Sequence, residues 1–134
     1  MMLLSRINGY NLEDLTLEAE YDITRDCLFY KAAMDAVPAW AGFEFLAQAI
    51  SAFSGIRNRE NGIPPKMGYI MSVSSMRIDI PFFREGTTVT IRTREIDRIN
   101  LVYTFEGEII INGEKVLEGK LTVIEVDEGS NTNE

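Results

Sequence analysis

Residues 37–55, V-P-A-W-A-G-F-E-F-L-A-Q-A-I-S-A-F-S-G, limit what this chain can fold into more than any other stretch. The composition predicts one helix. Pro38 suits a first helical turn, where its missing N–H costs nothing and its φ is already set. Ala, Leu, Phe and Gln fill the interior, and Gly55 can end the helix in a left-handed conformation. Trp40, Phe43, Phe45, Leu46, Ile50 and Phe53 leave little of the circumference polar. A helix apolar nearly all round belongs inside something. About four turns is too short for a bilayer, so it must be buried in protein.

Against that background the polar residues stand out. Glu44, Gln48 and Ser51 recur at i, i+4 and i+7, which sets them on one stripe. A buried carboxylate is costly unless paired, hydrogen-bonded or protonated. Glu44 is then either a structural hydrogen-bond partner of a neighbouring strand or a carboxyl whose pKa is raised for acid–base work. The helix alone does not choose between them.

Several chemistries are excluded by what the chain lacks. With 134 residues it makes one domain, residues 1–128, with a polar tail over 129–134. It contains no histidine, so a Ser-His-Asp triad, a Cys-His pair and a His-ligated zinc site are impossible. One cysteine, Cys27, cannot build a disulfide framework or a thiolate cage. The net charge of −8 argues against nucleic acid. There is no Gly-rich phosphate loop, so no cofactor is expected. No apolar run of transmembrane length and no signal-peptide pattern occur, which points to the cytoplasm and away from membranes.

In chain order, the apolar start (residues 1–7) reads as a docked strand or segment, and Asn8-Gly9 as a turn. Residues 13–23 alternate, with Leu15, Leu17, Ala19, Tyr21 and Ile23 on one face of a strand. Residues 24–36 form a long irregular loop centred on Cys27, Leu28, Phe29 and Tyr30, and such loops are often functional. After the helix, residues 57–66 are rich in breakers and read as a surface loop. Strands follow over 69–80, 87–98, 101–111 and 115–126, with Val89, Ile91 and Ile96 as the apolar members of the second and Asn112-Gly113 as a hairpin turn. One long apolar helix with this many antiparallel strands implies an α+β chain whose single curved sheet, of about five to six strands, wraps the helix. That is the hotdog arrangement, and by analogy a homodimer, with a tetramer as the larger option.

The residues also carry a resemblance. Pro38…Gly42-x-Glu44-x-x-Ala47-Gln48-Ala49 resembles the helix of the 3-hydroxyacyl-carrier-protein dehydratases, P-G-V-L-x-x-E-A-x-A-Q. Residues 68–81, with Arg77 and a closing Pro81, are similar to that family's next strand, and the Asn112-Gly113 hairpin falls where the family turns. Val37-Pro38-Ala39-Trp40 with Glu44 and Ala47-Gln48 is most similar to a divergent branch found with aryl-polyene-type pathways. The resemblance implies a lyase dehydrating 3-hydroxyacyl thioesters in fatty-acid or polyene biosynthesis. In the family the helix carboxylate works with a histidine fourteen residues earlier, contributed across the dimer. Here that position is Tyr30. A phenol with a pKa of about 10 is a poor base at neutral pH. Glu44 is carried over as the acid/base position and Gln48 as its neighbour; the histidine is not carried over. The family often has a His-containing segment ahead of the residues matching 1–7, so a start upstream of Met1 is an expectation that the intact mass of the natively expressed protein checks.

The resemblance also places the ligand. An acyl thioester, on acyl carrier protein or coenzyme A, would lie between the helix and a neighbouring subunit, its carbonyl near helix-start N–H groups that include Gly42. Tight helix–sheet packing is the other reading of Gly42. Trp40 is read as core before pocket wall, and Tyr30 as a hydrogen-bond donor or a cap on the core. Cys27 and Arg77 complete the candidate substrate contacts. Arg57, Arg59, Lys66, Arg77 and Arg84 could make a basic patch for phosphates or an acidic carrier, or could be scattered solvated charges. The alternatives to a dehydratase are a hotdog thioesterase using Glu44 and a non-catalytic acyl-binding partner subunit.

Overall fold

The structure is a computed structural model that describes residues 4–64 and 66–127, by backbone alone at 66–71 and 126–127. Among the described residues, eight strands and one long helix follow in chain order: β1 (Arg6–Asn11), β2 (Thr16–Asp22), β3 (Ala36–Pro38), a 3-10 turn (Ala39–Ala41), α1 (Gly42–Glu60), β4 (Lys66–Ile78), β5 (Phe82–Arg84), β6 (Thr88–Ile99), β7 (Val102–Ile111) and β8 (Glu114–Asp127). Six strands make one antiparallel sheet ordered β1-β2-β6-β7-β8-β4, and β3 pairs with β5 as a separate ribbon. This is the hotdog arrangement.

The helix lies later than its sequence suggests. Pro38, at φ −58° and ψ 140°, is extended rather than helical, because Val37 and Pro38 pair with Phe83 and Phe82. Gly55 stays inside α1, and the exit comes at Asn61 and Gly62, whose φ is 68°. Residues 57–60, expected in the loop, therefore belong to the helix. Phe45, Leu46, Ala49, Ile50 and Phe53 are fully buried at helical spacing. The opposite side is not covered: Phe43, Glu44, Ala47 and Gln48 are half-buried and Ser51 is exposed.

Two sheet glycines make room for neighbouring side chains, one from the helix and one from β4. A Cβ on Gly107 would lie 2.7 Å from Leu46 Cδ2, and one on Gly119 would lie 2.9 Å from the Ser75 carbonyl. These residues face each other across β7 and β8. The omitted side chains thus leave room for Leu46 and Met76.

The turns follow local chemistry. Asn8-Gly9 is a bulge inside β1, not a turn. The chain reverses instead at residues 12–15, where Asn11 Oδ1 accepts the N–H groups of Glu13 and Asp14 at 2.8 and 2.9 Å. That turn delays the second strand to Thr16. Asn112 and Gly113 both adopt positive φ, 50° and 83°, as a tight β7–β8 hairpin requires. In β6 the inward parity runs Val89, Ile91, Thr93 and Glu95, so Ile96, named with Val89 and Ile91 as an apolar member of this strand, is exposed. The apolar start is described only from Leu4, which is buried; residues 1–3 and 128–134, including the 129–134 tail, lie outside the described residues.

Candidate functional site

Glu44 sits in the first turn of α1, half-buried, on the stripe that the sheet leaves uncovered. It makes no hydrogen bond or ion pair among the described side chains. Of its two readings, the structural bond to a neighbouring strand is not formed among the described side chains, because the sheet covers the Phe45–Ala49–Phe53 side of the helix. Gln48 is one turn further on the same stripe, also half-buried.

Gly42 is a packing residue in this fold. A Cβ there would lie 2.7 Å from Leu117 Cδ1, 2.9 Å from Ile109 Cδ1 and 3.3 Å from Phe83 Cζ. Its N–H, expected to be open to a carbonyl oxygen, is donated to the Ala39 carbonyl in the 3-10 turn.

The loop between β2 and β3 is ordered by its own hydrogen bonds. Cys27 Sγ accepts the Thr24 N–H at 3.1 Å and donates to the Asp22 carbonyl at 3.4 Å, so this half-buried thiol ties down the start of the loop. The Tyr30 N–H reaches the Cys27 carbonyl at 3.1 Å, and the Lys31 N–H reaches the Ala36 carbonyl at 2.9 Å. The Tyr30 hydroxyl donates to the Asp35 carboxylate. That contact, with a smaller desolvation effect, pushes the phenol above its ordinary value. Asp35 adopts φ 52°, and its carbonyl accepts the Glu85 N–H at 3.1 Å. Arg25 Nε stands 3.8 Å from its carboxylate.

Trp40, expected in the core, is 56 % exposed because it lies on the 3-10 turn outside the helix proper. Its ring meets the edge of Phe29 at a centroid distance of 5.2 Å. Leu28 and Met34 are exposed on the same loop. Trp40 and this loop together present apolar surface beside polar groups.

Two members of the candidate basic patch are held by carboxylates instead. Arg57 turns inward to Glu95 at 2.6 Å and lies over the Phe53 and Tyr103 rings. Arg77 pairs with Asp79 and Glu118 and shares its sheet face with Glu118, on the side away from α1. It is therefore separated from Glu44 by the sheet. Lys66 falls where side chains are not described. Sequence reasoning missed the polar cluster under the end of α1, where Glu125 Oε1 accepts the Tyr103 hydroxyl at 3.2 Å and Oε2 the Asn58 amide at 3.4 Å. The only available signal was parity: Glu95 and Glu125 occupy inward positions of β6 and β8.

A trough of about 670 Å³ crosses the outer face of the sheet. Charged pairs such as Arg92–Glu18 and Arg94–Glu106 line it, and it is not continuous with the Glu44 stripe. Among the described residues, no three His, Cys, Asp or Glu side chains converge as a metal site would need, and no helix is long and apolar enough to cross a membrane.

Comparison with solved structures supports the fold. The dehydratase heterocomplex ApeI:P from Xenorhabdus doucetiae contains a chain 23% identical, with a TM-score of 0.86 over 96% of this chain and 85% of that one. The smu.793 protein from Streptococcus mutans UA159, determined bound to acetyl-CoA, is 9% identical with a TM-score of 0.67, covering 92% and 89%. A hypothetical thioesterase from Streptococcus pneumoniae TIGR4, in variant form, is 11% identical with a TM-score of 0.68, covering 91% and 90%. At these identities the likeness establishes the hotdog fold. No curated protein matches the chain in sequence. The sequence pattern of the ApeP-like proteins, described as ApeP dehydratase, matches residues 1–134, and by that full-length match this chain belongs to the ApeP-like dehydratase family.

Proposed function

We propose that this chain is a subunit of a cytoplasmic hotdog dehydratase that removes water from 3-hydroxyacyl thioesters, delivered on acyl carrier protein or coenzyme A for fatty-acid or polyene synthesis. Glu44 is the acid that protonates the departing hydroxyl, and Gln48, one turn further along the same stripe, is its polar neighbour in the site. The observation that carries this reading is the placement of Glu44: first turn of α1, half-buried, no internal partner among the described side chains, on the stripe its own sheet leaves uncovered. A carboxyl held that way is available to a ligand or to a neighbouring subunit.

The second subunit belongs to the same proposal. β4 ends the sheet with no strand beyond it among the described residues, and Val73 and Ile78 on it are exposed. Such an edge is a template for pairing. A partner joined along β4, as a second copy or as the other half of a heteromer, would bring a second surface to the α1 stripe. The Xenorhabdus neighbour, a dehydratase heterocomplex, fits a partnered assembly, and the acetyl-CoA in the Streptococcus mutans neighbour fits a thioester ligand. Trp40 would wall the acyl site together with Leu28 and Met34, while Cys27 acts through the loop it secures. Tyr30 serves as a hydrogen-bond donor and not as the base.

The test follows enoyl absorbance and thiol release together on 3-hydroxyacyl thioesters of both carriers. Enoyl formation without thiol supports the dehydratase. Thiol release instead assigns the chain to the thioesterases, a reading the missing histidine favours because Glu44 alone suffices there. Neither signal from the assembled protein overturns both.

A further inference from the structure

The proposed reaction needs a proton acceptor, and the chain has no histidine to supply it. We propose that Asp35, held in place by the Tyr30 hydroxyl, is the base that takes the proton from C2 of the acyl thioester; the inference rests on the dehydratase reading above.

Three observations converge on this residue. Its backbone is fixed in the left-handed region at φ 52°, a conformation few non-glycine residues adopt and one that clusters at functional positions. Its carbonyl is anchored to the Glu85 N–H, and its own N–H is donated to the Ala32 carbonyl at 3.3 Å, so the residue is held from both sides. The side chain nevertheless remains 58 % exposed, with the Tyr30 hydroxyl and, at 3.8 Å, Arg25 Nε both approaching Oδ1. A carboxylate that is rigidly placed yet open is available to a ligand.

Its surroundings suit the substrate. Leu28, Met34 and Trp40 present exposed apolar side chains on the same loop and on the turn that follows β3. Asp35 and Glu44 flank the connector formed by β3 and the 3-10 turn, with Trp40 on that connector. Tyr30 itself is a poor candidate, since its proton is committed to Asp35 and its phenol is pushed above the ordinary value of 10.0 by that bond. The chemistry balances without a further reactant. The Asp35 carboxylate accepts the C2 proton, and the C2–H electrons form the C2=C3 bond. The C3–O bond breaks as the Glu44 carboxyl protonates the leaving hydroxyl. Water and the enoyl thioester depart, and exchange with solvent resets both carboxyls.

The experiment compares wild type, Asp35→Asn and Asp35→Gly in the assembled protein. Asn and Gly both tolerate positive φ, so each variant suits the backbone at this position, and Asp35→Asn also keeps an acceptor for the Tyr30 hydroxyl. Asp35→Asn is expected to lower kcat about 100-fold or more with little change in KM. Asp35→Gly is expected to lose activity similarly and to regain it in proportion to added formate, a small carboxylate that can replace the missing group. Turnover by Asp35→Asn within about threefold of wild type, or an inactive Asp35→Gly that formate does not restore, would overturn the assignment of the base while leaving the dehydratase reading intact. Absence of enoyl product from the wild type would overturn that reading, and this inference with it.

Discussion

Arg57 Nη1 meets Glu95 Oε1 at 2.6 Å with both side chains buried, 11 % and 5 % exposed, and the guanidinium lies between the Phe53 and Tyr103 rings. The contact fastens the last turns of α1 to the inner face of β6. Removing one partner strands a charge in the core, whereas replacing both removes that cost. Glu95→Ala is therefore expected to destabilise the fold by about 3 kcal/mol. The double replacement Arg57→Met with Glu95→Leu should fall much closer to wild type. Chemical denaturation of the three variants checks this.

Gly42 separates a packing role from a catalytic one. A methyl there meets Leu117, Ile109 and Phe83 at 2.7 to 3.3 Å, and none of these is at the end of a solvated chain. Gly42→Ala should cost about 1–3 kcal/mol of stability, although Ala is intrinsically the better helix former. Thermal unfolding reads the loss directly.

The tyrosines report the loop and the core together. Tyr21 and Tyr103 are pushed up chiefly by burial, and Tyr30 by its bond to Asp35. A raised folded value stabilises the fold below the unfolded value of 10.0, and that contribution is lost as pH climbs through the raised values. Ultraviolet titration should show these three phenols ionising late. In Asp35→Gly one of them should move back toward the ordinary value.

The outer face of the sheet governs the acid limb. Asn8 and then Arg92 hold the Glu18 carboxyl below its ordinary value, and Arg6 and then Thr88 do the same for Asp22. Depressed carboxylates stabilise the fold above their unfolded values and lose that contribution as pH falls through the lowered ones. Because these groups are solvated, the effect is small and screened by salt. Arg92→Ala should lose stability at neutral pH and differ less from wild type at about pH 3. Urea midpoints at the two pH values, at low and high salt, measure it.

Periodicity revealed the sheet well: β2, β6, β7 and β8 alternate in sequence as they do in the fold, and Asn112-Gly113 turns where its chemistry requires. It failed where pairing outweighed propensity. Pro38 looked helical until Phe82 and Phe83 drew its segment into a strand, and Asn8-Gly9 looked like a turn until β2 held it as a bulge. Glu44 and Gln48 were legible because helical spacing is local. Asp35 was not: its hydrogen bond to Tyr30 and its positive φ arise only once β3 closes the loop. Arg57, read as surface charge, could be placed only by knowing that Glu95 points inward.

The central claim is that Glu44 acts as the acid of a dehydration, and comparing wild type with Glu44→Gln on a 3-hydroxyacyl thioester tests it most directly. The substitution keeps the shape of a half-buried side chain with no partner among the described side chains, so the fold should be unchanged. The account predicts enoyl formation without thiol in the wild type, falling by about 100-fold or more in the variant. A folded Glu44→Gln protein that dehydrates at the wild-type rate would contradict it.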